Sequence, residues 1–282
     1  MGRRIALLIA TDGYGDPGLN RLRAPGRDAG QLAQLLEDQS IGRFDHVRVL
    51  LNRPKAEIEA AIEELLTNRM PDDLVLLYIA CHGLANDVDR LFFATVDTQL
   101  ARRNTTAIRA SLVHDLLDEC EAAAKIVLLD CCYSGLFNRG LSTRSERRID
   151  VEREVLGKGT VVLTSTTSLA YAYEGTQFTD NGEPASVFTG AVIEGLRSGA
   201  ADADRDGIVT PDELYDYVFR AVISQLGEEQ KPTKKGRALG ASSSPTRRRS
   251  TSGPGAGERS GPRTAWLWAR CCHHWSARWT RD

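Results

Sequence analysis

What this 282-residue chain lacks narrows it first. No apolar stretch reaches the roughly 18 residues that a membrane-spanning helix needs. The N-terminus has no apolar core followed by a cleavage site, so the expected setting is soluble and cytosolic. Surplus positive charge is missing from the first 236 residues, which carry 27 basic and 36 acidic side chains. A body of that charge argues against a nucleic-acid-binding core. All four tryptophans (Trp266, Trp268, Trp275, Trp279) fall in the last stretch, leaving none for the folded part. There is no internal repeat, and no cysteine spacing of the structural-zinc kind. Cys131-Cys132 are adjacent and make a poor disulfide pair, and Cys271-Cys272-His273-His274 lack the spacing of zinc ligands. In a reducing compartment Cys81, Cys120 and Cys131 read as small buried apolar residues.

What is present is an alternation of short apolar runs and helical patterns. Strands are expected at Arg4–Ala10, His46–Leu51, Asp73–Cys81, Lys125–Asp130 and Gly159–Thr164, with a short antiparallel addition at Arg90–Thr95. Helical spacing marks Asp28–Glu37, Pro54–Leu66, Arg109–Cys120, Ser186–Arg197 and Pro211–Leu226. Near-continuous apolar strands alternating with helices predict an α/β fold, a mostly parallel central sheet covered on both faces. Residues 1–226 read as that domain. Residues 227–282, rich in Ser, Pro, Gly and Arg, read as a low-complexity, disordered tail. From Arg237 to Asp282 the chain holds nine Arg, no Lys and two acids.

Two strands end on reactive residues. The Asp73–Cys81 run leads into His82-Gly83, read as a turn, and the Lys125–Asp130 run leads into Cys131-Cys132-Tyr133-Ser134-Gly135. In open α/β sheets chemistry collects at the carboxyl ends of the strands. One strand therefore delivers an imidazole and another a thiol to the same edge, and an imidazole raises the reactivity of a thiol that is only a few per cent ionised at neutral pH. Strand alternation lets only one of Cys131 and Cys132 face His82.

Tyr78-Ile79-Ala80-Cys81-His82-Gly83 resembles the His-Gly element of caspases and metacaspases. Asp130-Cys131-Cys132-Tyr133-Ser134-Gly135 resembles the metacaspase D-x-C-x-S-G element, with the His about 50 residues upstream as in that family. The Asp28-Ala29 helix start and Ser186-Val187-Phe188-Thr189 agree with it too. The resemblance implies a caspase-type fold and a cysteine endopeptidase acting on protein or peptide substrates. It makes Cys132 the nucleophile, His82 the proton shuttle, and the backbone N–H groups of Gly83 and Cys132 the oxyanion hole. It also places Asp28 and Asp130 where metacaspase acids line the pocket for the residue before the cut. Two carboxylates there favour an entering cation, so cleavage after Arg or Lys is expected. Asp28 would also serve as a helix N-cap. The alternative is cleavage after Asp, as in caspases proper, with Arg21 or Arg23 holding the substrate acid. The Arg-rich stretch 138–158 offers Arg139, Arg144, Arg147 and Arg148 as sites of self-cleavage.

A second motif points to calcium. Asp202, Asp204, Asp206, Gly207, Ile208, Thr210 and Glu213 occupy the diagnostic places of an EF-hand loop, between two helical patterns. Three aspartates, the Ile208 carbonyl, Thr210 directly or through water, and Glu213 would make the oxygen shell. A solvated acidic turn capping the last helix is the alternative. Together these features leave a reading of a different class open: a catalytically silent caspase-like module that binds Ca²⁺ and other proteins. Oligomeric state is not fixed by the sequence.

Overall fold

A computed structural model describes residues 2–86, 90–132, 155, 159–165, 174–178, 184–227, 231–236 and 266–267. The chain begins with strand β1 (Arg4–Ala10), helix α1 (Pro25–Glu37), β2 (His46–Leu51) and α2 (Lys55–Leu66). It continues with β3 (Leu74–Ala85), β4 (Leu91–Phe93), a short α3 (Arg103–Thr106), β5 (Ile108–Arg109), α4 (Ala110–Glu119) and β6 (Ala124–Cys132). After β7 (Thr160–Thr164) come the hairpin β8 (Glu174–Phe178) and β9 (Pro184–Ser186), then α5 (Val187–Ser198), β10 (Ile208–Val209), α6 (Pro211–Leu226) and β11 (Thr233–Gly236).

The main sheet runs β2-β1-β3-β6-β7-β11, with the first five strands parallel and β11 antiparallel at the edge. Alternation divides its side chains between two cores. Leu8, Leu76, Tyr78 and Leu128 bury on one face with apolar residues of α1, α5 and α6. Leu7, Leu77, Ile79, Val127 and Leu129 bury on the other with α2 and α4. Burial on both faces is why these strands read as unbroken apolar runs, and each fully buried Leu or Ile contributes about 1.5–3 kcal/mol. Besides Asp130, Lys125 is a polar residue buried within β6. Its buried ammonium donates to the carbonyls of Leu117 (2.8 Å) and Cys120 (2.7 Å), which closes the C-terminal end of α4.

Two expectations change. Gly83 is not in a turn: β3 continues to Ala85, because β4 supplies antiparallel partners, Gly83 opposite Phe93, and Leu84 buries with Leu19, Phe92, Ala94 and Ala107. Residues 233–236, assigned above to the tail, add a strand instead. Their backbone pairs with β7, and the Thr233 and Thr164 hydroxyls hydrogen-bond at 2.9 Å. A short polar edge strand has no apolar alternation to announce it. The 138–158 stretch, apart from Val155, lies outside the described residues.

Candidate active site

The two central strands bring the reactive residues together. β3 and β6 are parallel neighbours in register, and the last pairs are Cys81 with Cys131 and His82 with Cys132. Parallel register partners occupy the same face of the sheet about 4.8 Å apart. His82 and Cys132 therefore share one face at the carboxyl ends of their strands, and Cys131 belongs to the other. The described thiols agree. Cys131 Sγ lies 3.9 Å from Cys81 Sγ, buried in the core on the α2–α4 face. Burial pushes the Cys131 thiol far up, and the Cys81 thiol adds to this. A thiol so placed is inert as a nucleophile.

His82 is buried and fixed at both ends. Its Nε2 lies 2.7 Å from the carbonyl oxygen of Asn20. A carbonyl only accepts, so Nε2 carries the proton, and in the neutral ring the basic lone pair belongs to Nδ1. The His82 backbone N–H donates to the Tyr14 hydroxyl at 3.0 Å, and the two rings stack at 4.8 Å between centroids. Both partners lie on the β1–α1 loop.

Asp28 and Asp130, 102 positions apart in sequence, meet through Ser186, the N-cap of α5. The Ser186 N–H donates to Asp28 Oδ2 at 2.9 Å, and its hydroxyl donates to Asp130 Oδ2. Thr189, one turn into α5, gives Asp130 Oδ2 a second hydroxyl at 2.6 Å and meets the Tyr78 hydroxyl at 3.1 Å. Both carboxylates are buried. Burial pushes the Asp130 carboxyl above its usual range, while hydrogen bonds from Ser186 and Thr189 pull it back. The Tyr78 phenol is pushed well up by burial and then by the charges of Asp130 and Asp28. Asp130 and His82 also lie on the same face, since Asp130 pairs with Ala80 one alternation earlier.

The acidic loop sits at the other end of α5, a helix of 12 residues and so about 18 Å long. Oxygens of Asp202, Asp204 and Asp206 lie within 4.8 Å of one another, which suits ligands at 2.3–2.6 Å from one shared cation. Gly207 (φ 87°) takes the left-handed turn at the middle of the loop, and its N–H donates to Asp202 Oδ2 at 2.9 Å. Glu213 folds back onto the loop. Oε1 accepts from Ala203 N–H at 3.1 Å, and Oε2 accepts from the Thr210 N–H at 2.9 Å and hydroxyl at 2.7 Å. Burial pushes the Glu213 carboxyl up, but the hydrogen bonds from Thr210, Asp204 and Ala203 outweigh it and leave it below the usual range. Thr210 and Glu213 thereby form a capping box for α6. The donor set, all oxygen, fits a hard cation such as Ca²⁺.

A sheet in this order, with His and Cys as the final register partners of its two central strands, defines a caspase-like α/β fold. The chain belongs to the caspase-domain peptidases (Peptidase C14), whose sequence model matches residues 3–241. Caspase-1 from Spodoptera frugiperda is 18% identical, with a TM-score of 0.55 over 83% of this chain and 88% of its own. A protein from Geobacter sulfurreducens, solved by structural genomics, is 15% identical, with a TM-score of 0.56 over 83% of this chain and 92% of its own. At these identities the two structures speak for the fold alone. No curated protein matches the chain in sequence. Family membership implies cysteine-peptidase chemistry on protein or peptide substrates. Among the described residues no helix is long and apolar enough to cross a membrane.

Sequence reading missed Tyr14, Asn20 and Tyr78 as site residues, and took Ser186 and Thr189 as a helix start that agrees with the family resemblance, with no part in the site. The Asn20 contribution is a main-chain carbonyl, which leaves no residue-type signal. Ser186 is of a residue type that favours helix N-caps, but that preference names no acidic partner.

Proposed function

We propose that this protein is a cysteine endopeptidase in which Cys132 attacks the peptide carbonyl and His82 moves the proton. The observation that carries the reading is the register pairing of His82 with Cys132 at the ends of β3 and β6. The Cys132 thiol gives its proton to His82, and the thiolate forms a thioester with the acyl half of the substrate as the amine half leaves with a proton from His82. Water then attacks the thioester with His82 as base, which releases the acid and restores the thiol. The backbone N–H groups of Gly83 and Cys132 hold the oxyanion. In support, the His82 N–H is turned to Tyr14 on the β1 side, so alternation turns the Gly83 N–H toward β6.

Asp28 and Asp130, joined by Ser186, form the floor of the pocket for an Arg or Lys side chain before the cut. Ca²⁺ is held by Asp202, Asp204, Asp206, the Ile208 carbonyl, Thr210 and Glu213. Bound there, it would stiffen the α5–α6 corner by drawing the three aspartates together. Arg139, Arg144, Arg147 and Arg148 supply sites for self-processing. A positional-scanning peptide assay, with and without Ca²⁺ and beside Cys132→Ala, tests the whole reading. Turnover after Arg and Lys that disappears in Cys132→Ala supports it. Turnover only after Asp overturns the basic pocket, and no Cys132-dependent turnover overturns the peptidase.

A further inference from the structure

Tyr14 touches His82 twice, through different parts of both residues. Its hydroxyl accepts the His82 backbone N–H at 3.0 Å, and its ring stacks on the imidazole at 4.8 Å with 29° between planes. The Asn20 carbonyl at Nε2 adds one hydrogen bond to the ring. A hydrogen bond at Nε2 fixes a point of the imidazole but not its plane, because rotation about the Cβ–Cγ bond tilts the ring while moving Nε2 little. A stacked neighbour removes that freedom. A hydroxyl on the same neighbour fixes the main chain from which the ring hangs.

Tyr14 is itself held. Its hydroxyl donates to the Thr11 carbonyl at 2.9 Å, and the Thr11 N–H donates to Ala80 on β3 at 2.9 Å. On either side, the Asp12 and Gly13 N–H groups donate to Asn52 Oδ1 (3.0 and 3.2 Å), and the Gly15 N–H donates to the Val96 carbonyl (2.9 Å). The ring rests against the small cluster of Leu19, Leu84, Phe92, Ala94 and Ala107. The β1–α1 loop is therefore braced at Tyr14 by the strand that carries His82, by the segment after β2 and by the segment after β4.

We propose that Tyr14 is the positioning residue of the catalytic histidine. It holds the imidazole plane and the His82 main chain so that Nε2 stays on the Asn20 carbonyl and Nδ1 carries the lone pair that takes the thiol proton. The proposal rests on His82 being the proton shuttle and adds the residue that orients it. Such a role predicts loss in the chemical step without loss of substrate affinity, since Tyr14 acts through His82 and misplacement of a reacting group by about 1 Å costs on the order of a hundredfold.

The test compares Tyr14→Phe, which keeps the ring and removes the hydroxyl, with Tyr14→Leu, which removes both. On an Arg or Lys reporter peptide, kcat should fall about tenfold in the first and about a hundredfold in the second, with KM within about twofold. The second arm needs no activity: ¹⁵N NMR of the histidine rings, with the His82 signals assigned by their absence in His82→Asn. The wild type and Tyr14→Phe should show one Nε2–H tautomer for His82, and Tyr14→Leu should show averaging toward the mixture of a free imidazole. Should Tyr14→Leu fail to fold, the kcat and KM of Tyr14→Phe decide alone. A wild type without Cys132-dependent turnover removes the peptidase reading, while the NMR arm still decides whether Tyr14 orients the ring. Unchanged kcat in the variants, or an unchanged His82 tautomer in Tyr14→Leu, overturns the proposal.

Discussion

Removing one hydroxyl from Ser186 is the sharpest probe of how the acid pair is built. In Ser186→Ala, Asp130 Oδ2 loses the Ser186 hydroxyl and retains Thr189 at 2.6 Å. A hydrogen bond to a charged, buried acceptor is worth about 1.5–3 kcal/mol. The same hydroxyl is also the N-cap of α5, but its bond from the Thr189 N–H is long, 3.4 Å, and adds little. The expected loss is therefore about 2–3 kcal/mol. For a domain of this size that is a fall of about 5–10 °C in Tm.

The loss should depend on pH, and the sign follows from Asp130. Burial raises its carboxyl in the folded state, so over the window above the unfolded carboxylate value the folded protein binds more protons than the unfolded chain. Stability from this group is fully present below that window and falls as pH rises through the folded value. Ser186→Ala removes a bond that favours the charged form, moving the folded value higher and deepening the fall. The variant's loss should therefore be smaller at acid pH, where the carboxyl is protonated, than near pH 8. Urea unfolding of wild type, Ser186→Ala, Asp130→Asn and the double variant at both pH values gives the coupling, expected at about 1–2 kcal/mol near pH 8. Additivity of the two single changes within about 0.5 kcal/mol, or a loss independent of pH, refutes the reasoning.

Three other outcomes follow from the same geometry. Cys132→Ala should cut turnover of a reporter peptide by about 10⁴ or more, whereas Cys131→Ala should keep it within about threefold and cost about 1 kcal/mol of stability; equal losses would refute the register argument. Lys125→Met leaves the Leu117 and Cys120 carbonyls without their buried ammonium, and should lower the urea midpoint by an amount equivalent to about 2–4 kcal/mol at unchanged m. If the acidic loop binds Ca²⁺, saturating the wild type to about a hundred times its Kd adds about 2.7 kcal/mol to unfolding. Asp202→Asn and Glu213→Gln should abolish that gain, and a wild-type Tm indifferent to Ca²⁺ refutes the site.

Legibility from sequence tracked how locally each feature is encoded. Strands β1 and β2 were readable to the residue, Arg4–Ala10 and His46–Leu51, because apolar runs between polar loops leave little choice of boundary. The far end of β3 was not: its continuation through Gly83 depends on β4, which joins it from beyond a loop. β11 escaped because Thr233–Gly236 offers its neighbour no apolar residue, only backbone and the Thr233 hydroxyl. The site divides along the same line. His82 and Cys132 end recognisable runs, so their residue types and spacing carried the message. The groups that hold them came from pairs such as Ser186 with Asp130, 56 positions apart, or from the Asn20 carbonyl, 62 positions from His82, which any residue type could supply.

The vicinal cysteines show where the two kinds of information meet. Alternation says that one of Cys131 and Cys132 faces His82, but the choice needs the register between two strands. That register is fixed by burial on both faces, since a slip of one residue would exchange Leu128 and Leu129 between the two cores and carry Asp130 to the opposite face. Asp130 has hydroxyl partners, Ser186 and Thr189, on the α5 face alone, so the slipped sheet would bury its carboxylate among Cys81, Ile79 and Val162 without them. A buried carboxylate stripped of its donors costs several kcal/mol. The polar residue two places before Cys132 thus helps to lock the register that sets Cys132, and not Cys131, opposite His82. Asp130→Leu should accordingly loosen the ordering of the β6 end, read as faster amide exchange at residues 129–132 than in Asp130→Asn. Equal exchange in the two variants would refute a part for Asp130 in holding the register.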